Sequence, residues 1–295
     1  MKKFEKLEKP IIFIGTGRSG TTIISEIMHR HPDLAFPSNY QKKYPANSKI
    51  NLVRLLFDNP LWRIIGQKPQ LNEVSDINRY LFKSSEAYKM WDYLSGESID
   101  FSRGFLNEET LSEDRINFIR SYFNKMVVFQ NRNRLSFKIT GPSRISFLLK
   151  IFPDAIFINL KRNLIPTINS FLKIDFWQSR GARQLWWNGV YDENEKDWAE
   201  KNSNNPILMT AFQLIKINEI SELERNQFKP KYLEINYEDF VDNPKQELMR
   251  IMSFTELSPF DIDKHLNKVT IYNRNKKDSD YFGQEDLEKI HKLQH

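Results

Sequence analysis

Ile11-Ile12-Phe13-Ile14-Gly15-Thr16-Gly17-Arg18-Ser19-Gly20-Thr21-Thr22 reads as a strand, a glycine turn and the start of a helix. Four successive apolar residues, three of them β-branched, predict a short buried strand. The glycines let the backbone turn tightly and approach a ligand closely. Gly20-Thr21-Thr22 then opens an amphipathic helix with Ile23, Ile24, Ile27 and Met28 on one face. Strand end, turn and helix N-terminus together aim several backbone N–H groups and the positive end of a helix dipole at one point. A bound phosphate-like anion is expected there.

Further along, apolar runs alternate with helical periodicity. Leu135–Thr140 predicts a second strand, ended by Gly141-Pro142. A helix follows (Ile145, Leu148, Leu149, Ile151, Phe152) and stops at Pro153. Ala155–Leu160 predicts a third strand, leading through Lys161-Arg162-Asn163 into a helix to about Lys173. A long helix is expected over Ile207–Asn226 and a fourth strand over Lys231–Asn236, with another helix after Asn243-Pro244. Such alternation implies a parallel sheet with crossovers. The expected architecture is three-layer α/β, with a central parallel sheet of about four to five strands flanked by helices. A single domain over residues 1–295 is expected, with a helical insertion at about 40–130 and a Trp-rich lid or insertion at about 174–206. Residues 32 to 134 carry no strong strand signal. Their clearest element starts at Thr110-Leu111-Ser112-Glu113, which resembles a capping box, with Ile116, Phe118, Ile119, Tyr122, Phe123 and Met126 at helical spacing.

Composition narrows the function classes. Hydrophobic residues make up 40% and charged residues 28%, ordinary for a globular chain, and no run is long enough to suggest a membrane span. The basic start, Met1-Lys2-Lys3-Phe4, has no apolar signal core behind it. The absence of cysteine excludes disulfides, thiolate metal sites and cysteine nucleophiles, and it suits a reducing, cytoplasmic location. A net charge of +6, scattered among acids, favours small anionic ligands over nucleic acid.

Two familiar phosphate loops fit imperfectly. Gly15 and Gly20 have the spacing of a nucleoside-triphosphatase loop, but Thr21 stands where that loop needs a lysine against the β/γ-phosphates. Gly15, Gly17 and Gly20 also spell a dinucleotide fingerprint, but the acid expected roughly 20 residues on has no clear place. Arg18-Ser19-Gly20-Thr21-Thr22 instead resembles the 5′-phosphosulfate loop of sulfotransferases that use 3′-phosphoadenosine 5′-phosphosulfate (PAPS). Phe152-Pro153-Asp154-Ala155-Ile156-Phe157-Ile158-Asn159-Leu160-Lys161-Arg162-Asn163, with Ser170 on the next helix, resembles that family's 3′-phosphate site. Asn236-Tyr237-Glu238-Asp239-Phe240 is similar to its strand-end segment near the cofactor. The pattern lies closer to the bacterial and tyrosylprotein-type branch than to phenol-type enzymes, which usually carry lysine at the Arg18 position.

The resemblance implies a P-loop-like fold and transfer of a sulfuryl group from PAPS to a hydroxyl or amine acceptor, without a metal. It implies Gly17, Arg18, Ser19, Gly20, Thr21, Thr22, Arg162, Ser170 and Tyr237 as cofactor-binding residues. Arg18 and Lys138 are the expected catalytic cations, set where negative charge develops on the leaving phosphate. One departure concerns the base. Where the tyrosylprotein branch has a glutamate after its His-Pro-Asp turn, this chain has Asn39. The substitute is Glu86 in Ser84-Ser85-Glu86-Ala87-Tyr88-Lys89-Met90-Trp91, expected to share a helix face with Met90 and Tyr93. His29 and His31 are alternatives, flanking a helix end where capping or solvent exposure is usual.

Other readings stay open. A P-loop kinase would require Mg²⁺ and ATP, and a non-catalytic nucleotide-binding protein would accommodate Asn39. Trp177, Trp186, Trp187 and Trp198 read as core or lid packing, with a sugar platform as the alternative. Arg274, Lys276 and Lys277 read as a solvated charge run, or as a late loop over the cofactor's phosphate. The acceptor is expected to be a small molecule, glycan or peptide.

Overall fold

β1 (Ile11–Ile14) has no exposed side chain, and it occupies the middle of the sheet. A computed structural model describes residues 7–57 and 81–294, except 268, 270 and 274. The other strands are β2 (Leu34–Ala35), β3 (Arg134–Lys138), β4 (Ile156–Lys161) and β5 (Lys231–Asn236). They lie in the order β2-β3-β1-β4-β5, and every pairing is parallel. Ile12 pairs with Phe137 on one side and with Phe157 on the other.

Alternate residues of the central strands feed different layers, as the period of two dictates. Ile12, Ile14, Phe137 and Phe157 join a cluster with Met90, Trp91, Phe123 and Leu148 from the helices Tyr88–Ser95, Glu113–Phe129 and Ile145–Ile151. Ile11, Phe13, Ile156 and Ile158 face the other way, against Ile24, Ile27, Phe240 and Leu248 from the helices Thr21–Met28, Tyr237–Asp242 and Pro244–Thr255. The fold is therefore three-layered around a five-stranded parallel sheet. Each such side chain, wholly buried, contributes about 1.5–3 kcal/mol. A third cluster joins the helices Leu164–Leu172 and Pro206–Phe228 to the Trp-rich segment. Among the described residues no helix is long and apolar enough to cross a membrane.

Some elements differ from expectation. β2 lies inside the stretch read as strandless. It is two residues long, too short for any periodicity, and is held by Leu34 and Ala35 pairing with Arg134 and Leu135. The helix expected from Thr110 starts at Glu113, because Ser112 rather than Thr110 is the cap: its side chain accepts the N–H of Arg115. Of the expected 40–130 insertion, residues 58–80 lie outside those described.

The chain leaves β1 toward β2 at one edge and leaves β4 toward β5 at the other, so connections diverge between β1 and β4. Open α/β sheets bind ligands at such a point, beyond the carboxyl ends of the strands. The turns after β1 and β4 carry Arg18 and Arg162.

Candidate active site

The turn after β1 is held open by backbone geometry. Arg18 sits at φ 57°, and Gly20, at φ 84°, precedes the Thr21–Met28 helix. A Cβ on Gly20 would stand 2.6 Å from Tyr237 Cδ2, so both conformation and contact demand glycine. Ser19 is buried and its Oγ has no hydrogen-bond partner. The amides of Ser19, Gly20 and Thr21 have no backbone acceptor among the described residues. Buried donors left over at a helix N-terminus fit a phosphate or sulfate oxyanion.

Arg162 faces this turn from the end of β4. Its Nη1 donates to the Arg18 carbonyl (3.0 Å), while Nε and Nη2 donate to Asn275 Oδ1 (3.0 and 2.7 Å). Its guanidinium lies 4.6 Å from the centre of the Tyr237 ring. Asn275 Nδ2 donates to Glu238 Oε1 (2.6 Å), which also accepts the Asn163 N–H (3.3 Å). Tyr237 thus packs on Gly20 and stacks with Arg162, and its hydroxyl donates to the Tyr272 carbonyl (3.0 Å). Ser170 is on the helix after β4, as expected, but its Oγ accepts from Arg18 Nε (2.9 Å). Arg18 and Arg162 are therefore parts of one cluster. Arg274 lies outside the described residues. Lys276 and Lys277 are exposed, and it is Asn275 beside them that reaches Arg162.

Lys138 ends β3 and links the loop to the opposite wall. Its Nζ is 3.0 Å from Thr22 Oγ1 and 3.0 Å from Glu86 Oε1. Thr140 Oγ1 lies 3.1 Å from each oxygen of the same carboxylate. Tyr88 fixes Thr140 in turn: its hydroxyl donates to the Thr140 carbonyl (2.6 Å) and accepts the Thr140 N–H (3.1 Å). Burial pushes the Tyr88 phenol up from its ordinary pKa, so it stays a neutral donor. The shared helix face of Glu86, Met90 and Tyr93 does not form. Ala87, at φ 48°, caps the helix that begins at Tyr88, leaving Glu86 outside it, while Met90 is buried and Tyr93 exposed. Thr140 and Tyr88 were quoted in the sequence motifs without a role. Only the fold brings these distant positions together.

His29 is the C-cap residue of the Thr21–Met28 helix, its backbone N–H donating to the Ser25 carbonyl (2.7 Å), but neither histidine is exposed. His29 is 2% exposed, with its ring nitrogens against Ser84 Oγ (2.8 Å) and Ser136 Oγ (3.1 Å) and its ring stacked on Phe36. Burial, then the charges of Arg54 and Lys138, lower its pKa to about 3. His31 is wholly buried, bonded to the Ser258 carbonyl (2.9 Å). Asn39 ties two segments together: Nδ2 donates to the Leu81 carbonyl (3.0 Å), and Oδ1 accepts the Lys83 N–H (2.9 Å). A glutamate there would have no donor to offer Leu81.

Loop, Glu86 and Thr140 open onto a cleft of about 630 Å³, whose far wall includes Phe176, Arg180, Trp186 and Trp187. Trp177 is buried in the core and Trp198 stacks on Phe212, whereas Trp186 is half-buried and faces the cleft. A larger groove of about 1000 Å³, beside Asp92, Gly96 and Arg115, holds none of the expected site residues. No cluster suited to a metal ion occurs among the described residues.

A parallel sheet with a glycine turn after its central strand, cations at the switch point and helices on both faces defines a P-loop-like α/β protein. The Sulfotransferase family model matches residues 10–261, and the chain belongs to that family. That span includes Arg18, Glu86, Lys138, Arg162, Ser170 and Tyr237, and ends before Asn275. Two solved structures share the fold. The sulfotransferase STF9 from Mycobacterium avium has a TM-score of 0.60 at 17% identity, covering 98% of this chain and 76% of that one. STF1 from Mycobacterium tuberculosis has a TM-score of 0.56 at 11% identity, over the same shares. No curated protein matches the sequence.

Proposed function

We propose that this sulfotransferase moves a sulfuryl group from PAPS to a hydroxyl or amine acceptor by in-line transfer. The observation that carries the reading is Lys138: one ammonium lies 3.0 Å from both Thr22 of the anion loop and Glu86 of the opposite wall. It joins the place where a donor's oxyanion fits to a carboxylate able to take a proton.

The donor supplies an electrophilic sulfur. As the acceptor oxygen bonds to it, the bond to the bridging oxygen of the 5′-phosphate breaks and that oxygen keeps the electron pair. The buried Ser19 hydroxyl and the amides of Gly20 and Thr21 hold the oxyanion end. Arg18 and Lys138 stabilise the charge growing on the bridging oxygen, where one well-placed donor is worth roughly 3–4 kcal/mol. Glu86, aimed by Thr140 and Tyr88, takes the acceptor's proton. Arg162, stacked on Tyr237, holds the 3′-phosphate with Ser170 nearby, and Asn275 orients its guanidinium. No metal has a role in this scheme. Residues 174–206 wall the acceptor side of what we take to be one domain, and the cysteine-free sequence fits a cytoplasmic setting.

The test is calorimetry of the chain with adenosine 3′,5′-bisphosphate, ATP and NAD, without metal. The bisphosphate is expected to bind most tightly. Failure to prefer it would end this reading, and Mg²⁺-dependent ATP binding would put a kinase in its place.

A further inference from the structure

The acceptor side of the cleft is aromatic and cationic. Lys42 and Arg180 line it with Phe176, Trp186 and Trp187. Glu86 is the one carboxylate among the described lining residues, and Lys138 already faces it at 3.0 Å. Arg18, the remaining cation of the lining, is bonded to Ser170 and belongs to the donor loop. Lys42 and Arg180, both exposed, make no ion pair with a carboxylate among the described residues. The cleft therefore holds two positive charges with no carboxylate partner among the described residues.

One of them is set on a built platform. The Arg180 guanidinium lies 4.7 Å from the centre of the Trp186 ring. Trp186 is fixed from both sides of its backbone: its N–H donates to Gln213 Oε1 (2.7 Å), and its carbonyl accepts from Arg103 Nε (2.7 Å). Gln213 is buried and also donates to the Gly181 carbonyl (2.7 Å), so the same side chain anchors both ends of the Gly181–Trp186 turn. A guanidinium laid against an indole keeps its N–H edge available for a planar oxyanion. Phe176, 48% exposed in the same cleft, adds apolar surface.

We infer that the acceptor is itself an anion: a hydroxyl-bearing molecule with a flat apolar body and a carboxylate. The body lies against Phe176 and the edge of Trp186, whose ring already carries the Arg103 and Arg180 guanidinium groups at 4.7 Å each, and the carboxylate meets Arg180 and Lys42. The inference rests on the transfer reading above and adds the substrate class to it. Opposite charge in a walled cleft raises both occupancy and arrival rate.

The test is calorimetry on the full chain loaded with adenosine 3′,5′-bisphosphate, titrated at low salt with 4-hydroxyphenylacetate, 4-hydroxyphenylacetamide and tyramine. These share a phenol and differ in charge. The carboxylate is expected to bind about tenfold tighter than the amide, a 1.4 kcal/mol preference, and tyramine most weakly. Arg180→Gln combined with Lys42→Gln should bring acid and amide within about twofold while adenosine 3′,5′-bisphosphate still binds. Equal binding of acid and amide overturns the inference, as does a preference that survives in the double variant. Absence of carboxylate binding at roughly 10 mM overturns it too, since that corresponds to less than about 3 kcal/mol of affinity. Failure of the bisphosphate to load defeats the transfer reading instead, so the two failures are distinguishable.

Discussion

Arg162→Ala offers the sharpest test of how a donor would be read. In the structure the guanidinium spends its donors on the Arg18 carbonyl and Asn275 Oδ1 and rests on the Tyr237 ring. Losing these contacts to uncharged acceptors loosens the loop for every nucleotide, at about 1.5–3 kcal/mol each because the donor is charged. A 3′-phosphate would lose in addition a charge-assisted contact, about 1.5–3 kcal/mol, or roughly 10- to 150-fold in Kd. The two losses separate in a cycle. Adenosine 3′,5′-bisphosphate and 5′-AMP are titrated into wild type and variant at one ionic strength. The coupling energy is the variant's loss for the first ligand minus its loss for the second. A value of about 1.5–3 kcal/mol is expected, with Arg162→Lys falling between, because it keeps the charge but not the fork. Coupling below about 0.5 kcal/mol would refute the assignment and leave Arg162 as a brace for the loop.

Glu86→Gln should lower kcat by about 10²- to 10⁴-fold while bisphosphate affinity stays within about twofold. Unchanged turnover would reduce Glu86 to a structural partner of Lys138. The buried His29 predicts an acid-labile fold. Its pKa, lowered to about 3 from 6.5, means the unfolded chain binds a proton that the native state refuses, so stability present above pH 6.5 drains away as pH falls toward 3. Between pH 7 and 4.5 this amounts to about 2–3 kcal/mol. Denaturant unfolding of wild type and His29→Gln across that range checks it. Parallel stability–pH curves for the two would contradict a neutral buried imidazole.

The sheet was largely legible because β1 is a continuous apolar run and β3 and β4 are mostly apolar along their buried middles. β1 and β5 match their expected bounds, and the expected Ala155–Leu160 strand is displaced by one residue to Ile156–Lys161. β2 was not legible, since two residues carry no period and their pairing is set by the partner strand. The family could be read from short contiguous motifs. Glu86 was named for its motif, but its setting depends on a left-handed Ala87 and on Thr140, 54 positions away. Asn275 was hidden in a basic run, where the cations drew attention and the amide made the contact. His29 caps the Thr21–Met28 helix as its place suggests, but neither it nor His31 is exposed, although a helix end is usually wet. Here the helix stops beneath Phe36 and Phe260, whose rings cover the two imidazoles.

The central place of β1 has a cost during synthesis. Its partner strand residues lie far along the chain: Ile11 pairs with Ser136 and with Ile156, the latter 145 positions later. At ribosomal rates of about 5–20 residues per second, four consecutive apolar side chains await that neighbour for roughly 7–30 s. Such a run is an aggregation hazard while exposed, and charged flanks are the usual remedy. The sequence supplies them in Lys2, Lys3, Glu5, Lys6, Glu8 and Lys9 immediately upstream. Lys9 ends in a solvent-exposed pair with Glu256 (2.6 Å), a contact that adds little to the stability of the finished fold, so its charge counts for more before the strand is covered than after.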